Sequence, residues 1–384
     1  MFFLNTLFLS FVAQIYGAIR TDYTWRNHTH IRIYSYSFTN ALNSAIDRIN
    51  SQTCLKLIKT NTKITSGEGI NIERQVSSVP EECSVYSIGP YIGIIPNSIE
   101  ATNKCINDKM ELLSAIFTAL GLSYEHNRND RDDFITVNKD AVVEQKKEFV
   151  EKDTFNTTTF GTSYDYGSLT HGSFNYYGMY GRQTITPNKD FSRWYNRTIG
   201  QRNAESFNEL KLLNYQYCNN TVTKRQVTCK RNGYLNPNNG KCICPHIFDG
   251  DDCGKLKPNS GYCGDGDAQN LKAKTGPTRT GYVHHRTCYT RIYANNGKRV
   301  QINITKVPFS LSTKSYCSIG NDDVVEIIYH KDKSTMGLCI CDNVDSEKDP
   351  KSGTISVTSE DNELFIYYKS SRMLNEFIFY YKEI

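Results

Sequence analysis

Apolar positions along the chain follow two regimes. Between residues 40 and 218 several stretches repeat at helical spacing, and beyond residue 255 the alternation is that of strands. The strongest helical stretch begins at Met110. Leu113, Phe117 and Leu120 fall on one face, Ile116 lies beside them, and Gly121 stands where a helix stops. An earlier helix is expected from an Asn40 cap, with Ala41, Ala45, Ile46 and Ile49 on its buried side, ending before Cys54. A later one runs from a Ser206 cap to Cys218. Strand-like segments are expected at 31–34, 56–58, 70–73 and 86–95. From 255 onward they are expected at 299–305, 324–329, 353–358, 363–368 and 376–381, with turn signals between, which predicts a β-sandwich. Between the two regimes, residues 219–254 lose all periodicity and become rich in Cys and Gly. The whole reads as α+β in two or three domains.

Composition adds limits. A chain of 384 residues with 38% hydrophobic content and a mean hydropathy of -0.53 suits globular material. A net charge of +5, spread thinly, gives no reason to expect nucleic acid or an anionic membrane as partner. Residues 1–17 are rich in Phe and Leu and lead into Tyr-Gly-Ala, which reads as a secretory signal peptide, leaving Ala18 as the new N-terminus. No later segment approaches a membrane span. Thirteen cysteines in a chain entering the secretory route predict a disulfide framework with one thiol left over. Five glycosylation sequons, at Asn27, Asn156, Asn196, Asn219 and Asn303, agree with a secreted, extracellular protein.

Three further stretches carry a resemblance. Glu125 through Asn138 is dense in charge, with Arg128, Asp130, Arg131 and Asp132. Ser163 through Gly172 reads Ser-Tyr-Asp-Tyr-Gly-Ser-Leu-Thr-His-Gly, and Ile199-Gly-Gln-Arg precedes the 206–218 helix. Together they resemble the astacin-family (metzincin) zinc metallopeptidases, whose helix reads H-E-x-x-H-x-x-G-x-x-H. The resemblance implies an astacin-like domain, a mixed sheet plus helices, over 18–218. It also implies a small disulfide-rich EGF-like module over 219–254 and an all-β CUB-like domain over 255–384. It implies the pairings Cys54–Cys218 and Cys83–Cys105 in the first domain. In the module, Cys229–Cys242 and Cys244–Cys253 are expected. In the last domain, Cys263–Cys288 and Cys317–Cys339 are expected with Cys341 spare, although Cys339 and Cys341 could exchange roles. An ion-pair network is implied for the charged stretch, with Glu125 meeting the mature N-terminus as in active relatives. An edge strand above the cleft, where an extended peptide adds, is implied near 86–95. Some CUB domains bind calcium through acidic residues, and Asp323 is the position that invites the comparison.

Aligned on Gly121, the family's zinc-ligand positions are Ser114, Thr118 and Tyr124, and its general-base position is Ala115. In the Met-turn, Ser168 and His171 match the family, Thr170 replaces the methionine, and Gly172 replaces the tyrosine that serves as fifth ligand. A catalytic zinc needs three protein ligands and an open position, and a glutamate to move the proton. Two neutral hydroxyls and a phenol of pKa about 10 do not hold zinc, and a methyl cannot act as base. No histidine occurs between Cys105 and Glu125, so a small slip in register recovers nothing. His126 and His171 are the remaining candidates for a relocated site, and His126 should point elsewhere. The expectation is therefore a secreted homologue without zinc or catalysis, binding extracellular protein or peptide ligands. The alternatives are a working zinc endopeptidase and a CUB-mediated adhesive protein.

Overall fold

The strand Ile31–Ser35 lies inside a five-stranded sheet, in the order Leu57–Thr60, Ile31–Ser35, Ile70–Arg74, Asn97–Ala101, Ser84–Val85. The first four strands are parallel and Ser84–Val85 runs antiparallel at the edge. The computed structural model describes residues 18–75, 83–91, 95–188, 191–219, 227–261, 263, 269–309, 315–346, 353–371 and 376–384. The signal-peptide reading of residues 1–17 lies outside them.

Two helices flank this sheet. Asn40–Gln52 is capped by Thr39, not Asn40, whose hydroxyl accepts the N–H of Leu42. Its buried side is Leu42, Ala45, Ile46 and Ile49, so Leu42 takes the place expected for Ala41. Lys109–Ala119 is capped by Asp108, whose carboxylate accepts from Met110 and Glu111. The sequence predicts one apolar face here, but every residue from Leu112 to Ala119 is buried. This helix runs through the interior, with Trp25 donating its indole N–H to Ala119 O at 3.0 Å and Tyr217 its hydroxyl to Leu120 O at 2.7 Å. Gly121 takes φ +114°, a conformation open to glycine, and ends it. The closing helix Phe207–Cys218 has the Ser206 cap expected of it.

The expected strand over 86–95 is not formed. The described part of that segment is irregular, and the strands lie on either side of it, at Ser84–Val85 and Asn97–Ala101. Asn97 explains part of this. Its side chain donates to Ser87 O and Gly89 O, holding the loop by a side chain where a ladder would use backbone.

Residues 229–256 form two short hairpins held by Cys229–Cys242 and Cys244–Cys253. From Asn270 onward the described chain is a β-sandwich of two five-stranded sheets. One carries Arg286–Tyr293, Glu363–Ser370 and Val324–Ile328 at its centre, and the other Glu376–Glu383 and Val300–Pro308. Thr278–Val283 and Arg286–Tyr293 are strands the sequence reading missed. Cys54–Cys218, Cys83–Cys105 and Cys263–Cys288 form as expected. Cys317 does not pair with Cys339. It pairs with Cys341, Cα to Cα 5.7 Å, and Cys339 is a buried free thiol. Strand alternation puts both candidates on one face of Leu338–Ile340. Cys339 sits opposite Glu326 within the ladder, while Cys341, past the strand end, reaches Cys317.

Candidate functional site

A cleft of about 250 Å³ opens between the edge strand Ser84–Val85, the buried helix and the turn at Thr170–Gly172. It brings Ser114, Ala115, Thr118, Tyr124, Thr170, His171 and Gly172 together, as the alignment on Gly121 requires. A larger hollow of about 400 Å³, between Tyr215, Phe160 and Tyr234, contains none of the residues at the family's zinc-ligand, general-base or Met-turn positions.

The helix positions are turned away from ligand chemistry. Ser114 Oγ donates to Leu169 O at 2.8 Å. Thr118 Oγ1 donates back along its own helix to Ser114 O at 3.1 Å. Ala115 presents a methyl between them. Both hydroxyl protons are thus committed to backbone carbonyls, and what each oxygen has left to offer a cation is the lone pairs of a neutral hydroxyl, outside the thiolate, imidazole and carboxylate set that holds zinc.

The histidines are equally committed. His126 Nδ1 accepts the Gly172 N–H at 2.9 Å, so Nε2 carries the proton and donates to Phe149 O at 3.2 Å. His171 Nδ1 donates to Gly172 O at 2.7 Å, so Nε2 accepts from the Tyr164 hydroxyl at 2.7 Å. The rings lie 5.6 Å apart. Burial lowers the pKa of His126 well below the usual imidazole value, and that of His171 to about 4. Among the described residues, no group of three or more His, Cys, Asp or Glu could hold a metal ion. The donor set does not fit a zinc centre.

The turn beneath is remade. Thr170 Oγ1 donates to Ser123 O at 3.1 Å, and Ser168 Oγ accepts the Thr170 N–H. A Cβ at Gly172 would lie 2.8 Å from Tyr176 Cγ and 3.1 Å from His126 Cε1. Tyr176 therefore stands where a side chain at 172 would leave the backbone. With Tyr124, Phe149 and Tyr177 it gives the cleft an aromatic lining, joined by Lys146, Glu111 and Arg202. Sequence reasoning missed Lys146, Phe149, Tyr176 and Tyr177. The run Phe174-Asn-Tyr-Tyr-Gly-Met-Tyr-Gly was the available signal.

The charged stretch forms an interior network. Glu125 Oε1 accepts from Arg128 Nη1 and from Asp165 N, both at 2.8 Å. Arg128 also grips Asp130 through two bonds, at 2.9 and 2.7 Å. Arg131 donates to His126 O and Val150 O and meets Asp132 at 3.3 Å. Burial raises the Glu125 pKa, and Arg128 pulls it back. Ala18 and Glu125 line one small cavity together with Asp165, Ser168 and Glu209. Burial lifts Asp165 to about 7. Asp323, the calcium candidate, accepts from Ser370 Oγ, Ser371 N and Ser371 Oγ, and so ties a strand end.

Comparison with known proteins gives a match of residues 19–218 to the peptidase family described as Astacin. Zinc metalloproteinase nas-34 of Caenorhabditis elegans is 29% identical over 334 residues, which is 86% of this chain and 51% of that protein. Zinc metalloproteinase dpy-31 of Brugia malayi is 26% identical over 351 residues, 88% of this chain and 55% of that protein. The chain spans about half the length of these curated relatives. Among solved structures, high choriolytic enzyme 1, a hatching enzyme zinc-protease from Oryzias latipes, aligns with TM-score 0.40 and 22% identity. That alignment covers 50% of this chain and 90% of that one.

Proposed function

Because this chain belongs to the astacin family of peptidases, we propose that it is a secreted, catalytically inactive homologue that binds extended segments of extracellular proteins in its cleft. One observation carries the reading. At the positions where the family places its first two zinc ligands, Ser114 and Thr118 commit their hydroxyl protons to Leu169 O and Ser114 O. Between them Ala115 offers no proton acceptor. Without a metal to lower the pKa of water and a base to move its proton, hydrolysis has no nucleophile.

What remains supports binding. Ser84–Val85 is an edge strand that lines the cleft, and an extended peptide can add to such an edge by backbone hydrogen bonds. The aromatic lining offers rigid contact area at low entropic cost. Export is supported by six disulfides among the described residues and by sequons at Asn27, Asn156 and Asn219, all exposed. The EGF-like reading of 219–254 and the CUB-like reading of 255–384 belong to the same proposal.

The test is metal analysis and a peptide-cleavage assay on the purified chain, beside a variant carrying Ser114→His, Ala115→Glu, Thr118→His and Tyr124→His. The unaltered chain is expected to hold no stoichiometric zinc and to cut nothing. Stoichiometric zinc with chelator-sensitive turnover in unaltered protein would reject the proposal.

A further inference from the structure

A hollow of about 310 Å³ opens where the disulfide-rich stretch meets the sandwich. Its wall carries Arg231 and Lys255 from the first and Arg291 from the second, and no Asp or Glu among the described residues. Buried Glu363 draws both guanidiniums. Arg231 forks onto its two oxygens, with Nη2 3.1 Å from Oε1, and Arg291 Nη2 reaches the same Oε1 at 2.5 Å. Other charges nearby are matched, Lys333 by Asp361 at 3.0 Å and Lys230 by Asp252 at 2.8 Å.

One of these cations has a structural task and two do not. Arg231 lies 5.1 Å from the centre of the Phe365 ring and 5.8 Å from that of Phe248, and its fork on Glu363 ties hairpin to sandwich. One forked guanidinium neutralises a carboxylate, so Arg291 is a second positive charge on a partner already matched. Its Nε finds no acceptor among the described residues. Lys255 is exposed and has no ion pair among them, because Asp249, its partner across the hairpin, accepts the Gly250 N–H at 2.8 Å instead. Three cations against one carboxylate leave two positive charges in excess in one concavity, whose walls focus their field. Two amides complete the wall. Gln269 gives its N–H groups to Lys257 O at 2.6 Å and Asn259 Oδ1 at 3.2 Å, which leaves its oxygen to accept, and Asn270 beside it is exposed.

We propose that this hollow binds a sulfated sugar unit of an extracellular polysaccharide. Lys255 and the outward N–H groups of Arg291 take the sulfate oxygens, the Gln269 and Asn270 amides meet ring hydroxyls, and the C–H face of the sugar lies on Leu256. A sulfate ester spreads its charge over three oxygens, which suits donors arriving from two chain segments better than the two oxygens of a carboxylate do. The volume lies at the lower end of what small-ligand sites enclose. This uses only the export part of the reading above, and it stands whether or not the cleft binds peptide.

Fluorescent octasaccharides are titrated with the full chain, disulfides intact, and followed by anisotropy, chondroitin sulfate against unsulfated chondroitin. The sulfated chain is expected to bind about tenfold tighter at low salt, the gap narrowing as salt rises. Lys255→Met and Arg291→Met should each weaken it about three- to tenfold, and Lys255→Arg should keep most of it. Both losses are expected in folded protein, since Lys255 is exposed and Glu363 keeps its Arg231 fork. Lys298→Met, exposed on the sandwich outside the lining of the hollow, should change nothing. Equal binding of the two octasaccharides, or binding of neither, overturns the proposal. A loss from Lys298→Met equal to that from Lys255→Met also overturns it, because the attraction is then spread over the basic surface. A phosphoserine peptide that displaces the labelled sugar at lower concentration than the unlabelled sugar does would give the hollow to phosphoproteins instead.

Discussion

His126 and His171 keep all four ring nitrogens in bonds to the protein, so protonating either ring breaks a bond and buries a charge. The sign follows from the direction of the shift. The folded pKa of His171 is lowered to about 4 by burial, against about 6.5 for a free imidazole. Its contribution to stability is present above about 6.5 and is lost as pH falls toward 4. Asp165 works the other way. Burial raises it to about 7, so its contribution is present below about 4 and is lost as pH rises through 7. The opposed trends blur any curve of stability against pH, so the ring itself must be followed. Long-range nitrogen–proton NMR of His171 should show a neutral ring, protonated at Nδ1, until the pH nears 4. A midpoint near 6.5 would mean a solvated ring and a turn packed differently.

Whole elements were easier to read than single contacts. The helix from Lys109 to Ala119 was legible because its apolar spacing and a terminal Gly121 are local signals, and the alignment on that glycine placed Ser114, Ala115, Thr118 and Tyr124 in one cleft. Tyr176 and Lys146 were illegible because they reach the cleft from loops whose path no periodicity records. The disulfide of Cys317 failed for a related reason. Alternation gives Cys339 and Cys341 the same face, and only the end of the strand chooses between them. Gly121 offers a test at this scale. A Cβ there would meet nothing nearer than Tyr217 Oη at 3.6 Å, so space is available and only the backbone objects. Gly121→Ala should therefore lower stability by about 1–3 kcal/mol through φ +114°. Denaturant unfolding with an unchanged m-value should report it, and an unshifted midpoint would show that the helix can end another way.

Across the whole molecule, the sequence describes three consecutive stretches, but the packing does not divide so cleanly. One hydrophobic cluster joins Tyr164, Tyr166, Trp194, Tyr195 and Ile199 of the first stretch to Ile292, Ile327, Leu338 and Phe379 of the sandwich. Polar contacts follow the same seam. Tyr195 and Tyr329 share a hydroxyl bond at 2.8 Å, Ser163 N–H donates to Asp332 at 3.0 Å, and buried Lys211 donates to Ser334 Oγ at 2.9 Å. Met336 lies so close to Gly167 that an added Cβ would fall 2.4 Å from its sulfur. The disulfide-rich stretch is tied in as well, with Arg231 paired to Glu363 and His246 2.7 Å from the buried Glu326. Separating these parts would expose apolar rings and leave buried charges unpaired, which costs more than a flexible linker recovers. Calorimetry of the full chain with disulfides intact should therefore show one transition, its van't Hoff and calorimetric enthalpies agreeing. Gly167→Ala, placed at the seam, should lower that single transition without splitting it. Two resolved transitions in the unaltered chain would show that the cleft domain and the sandwich are energetically independent, and that the shared cluster does not couple them.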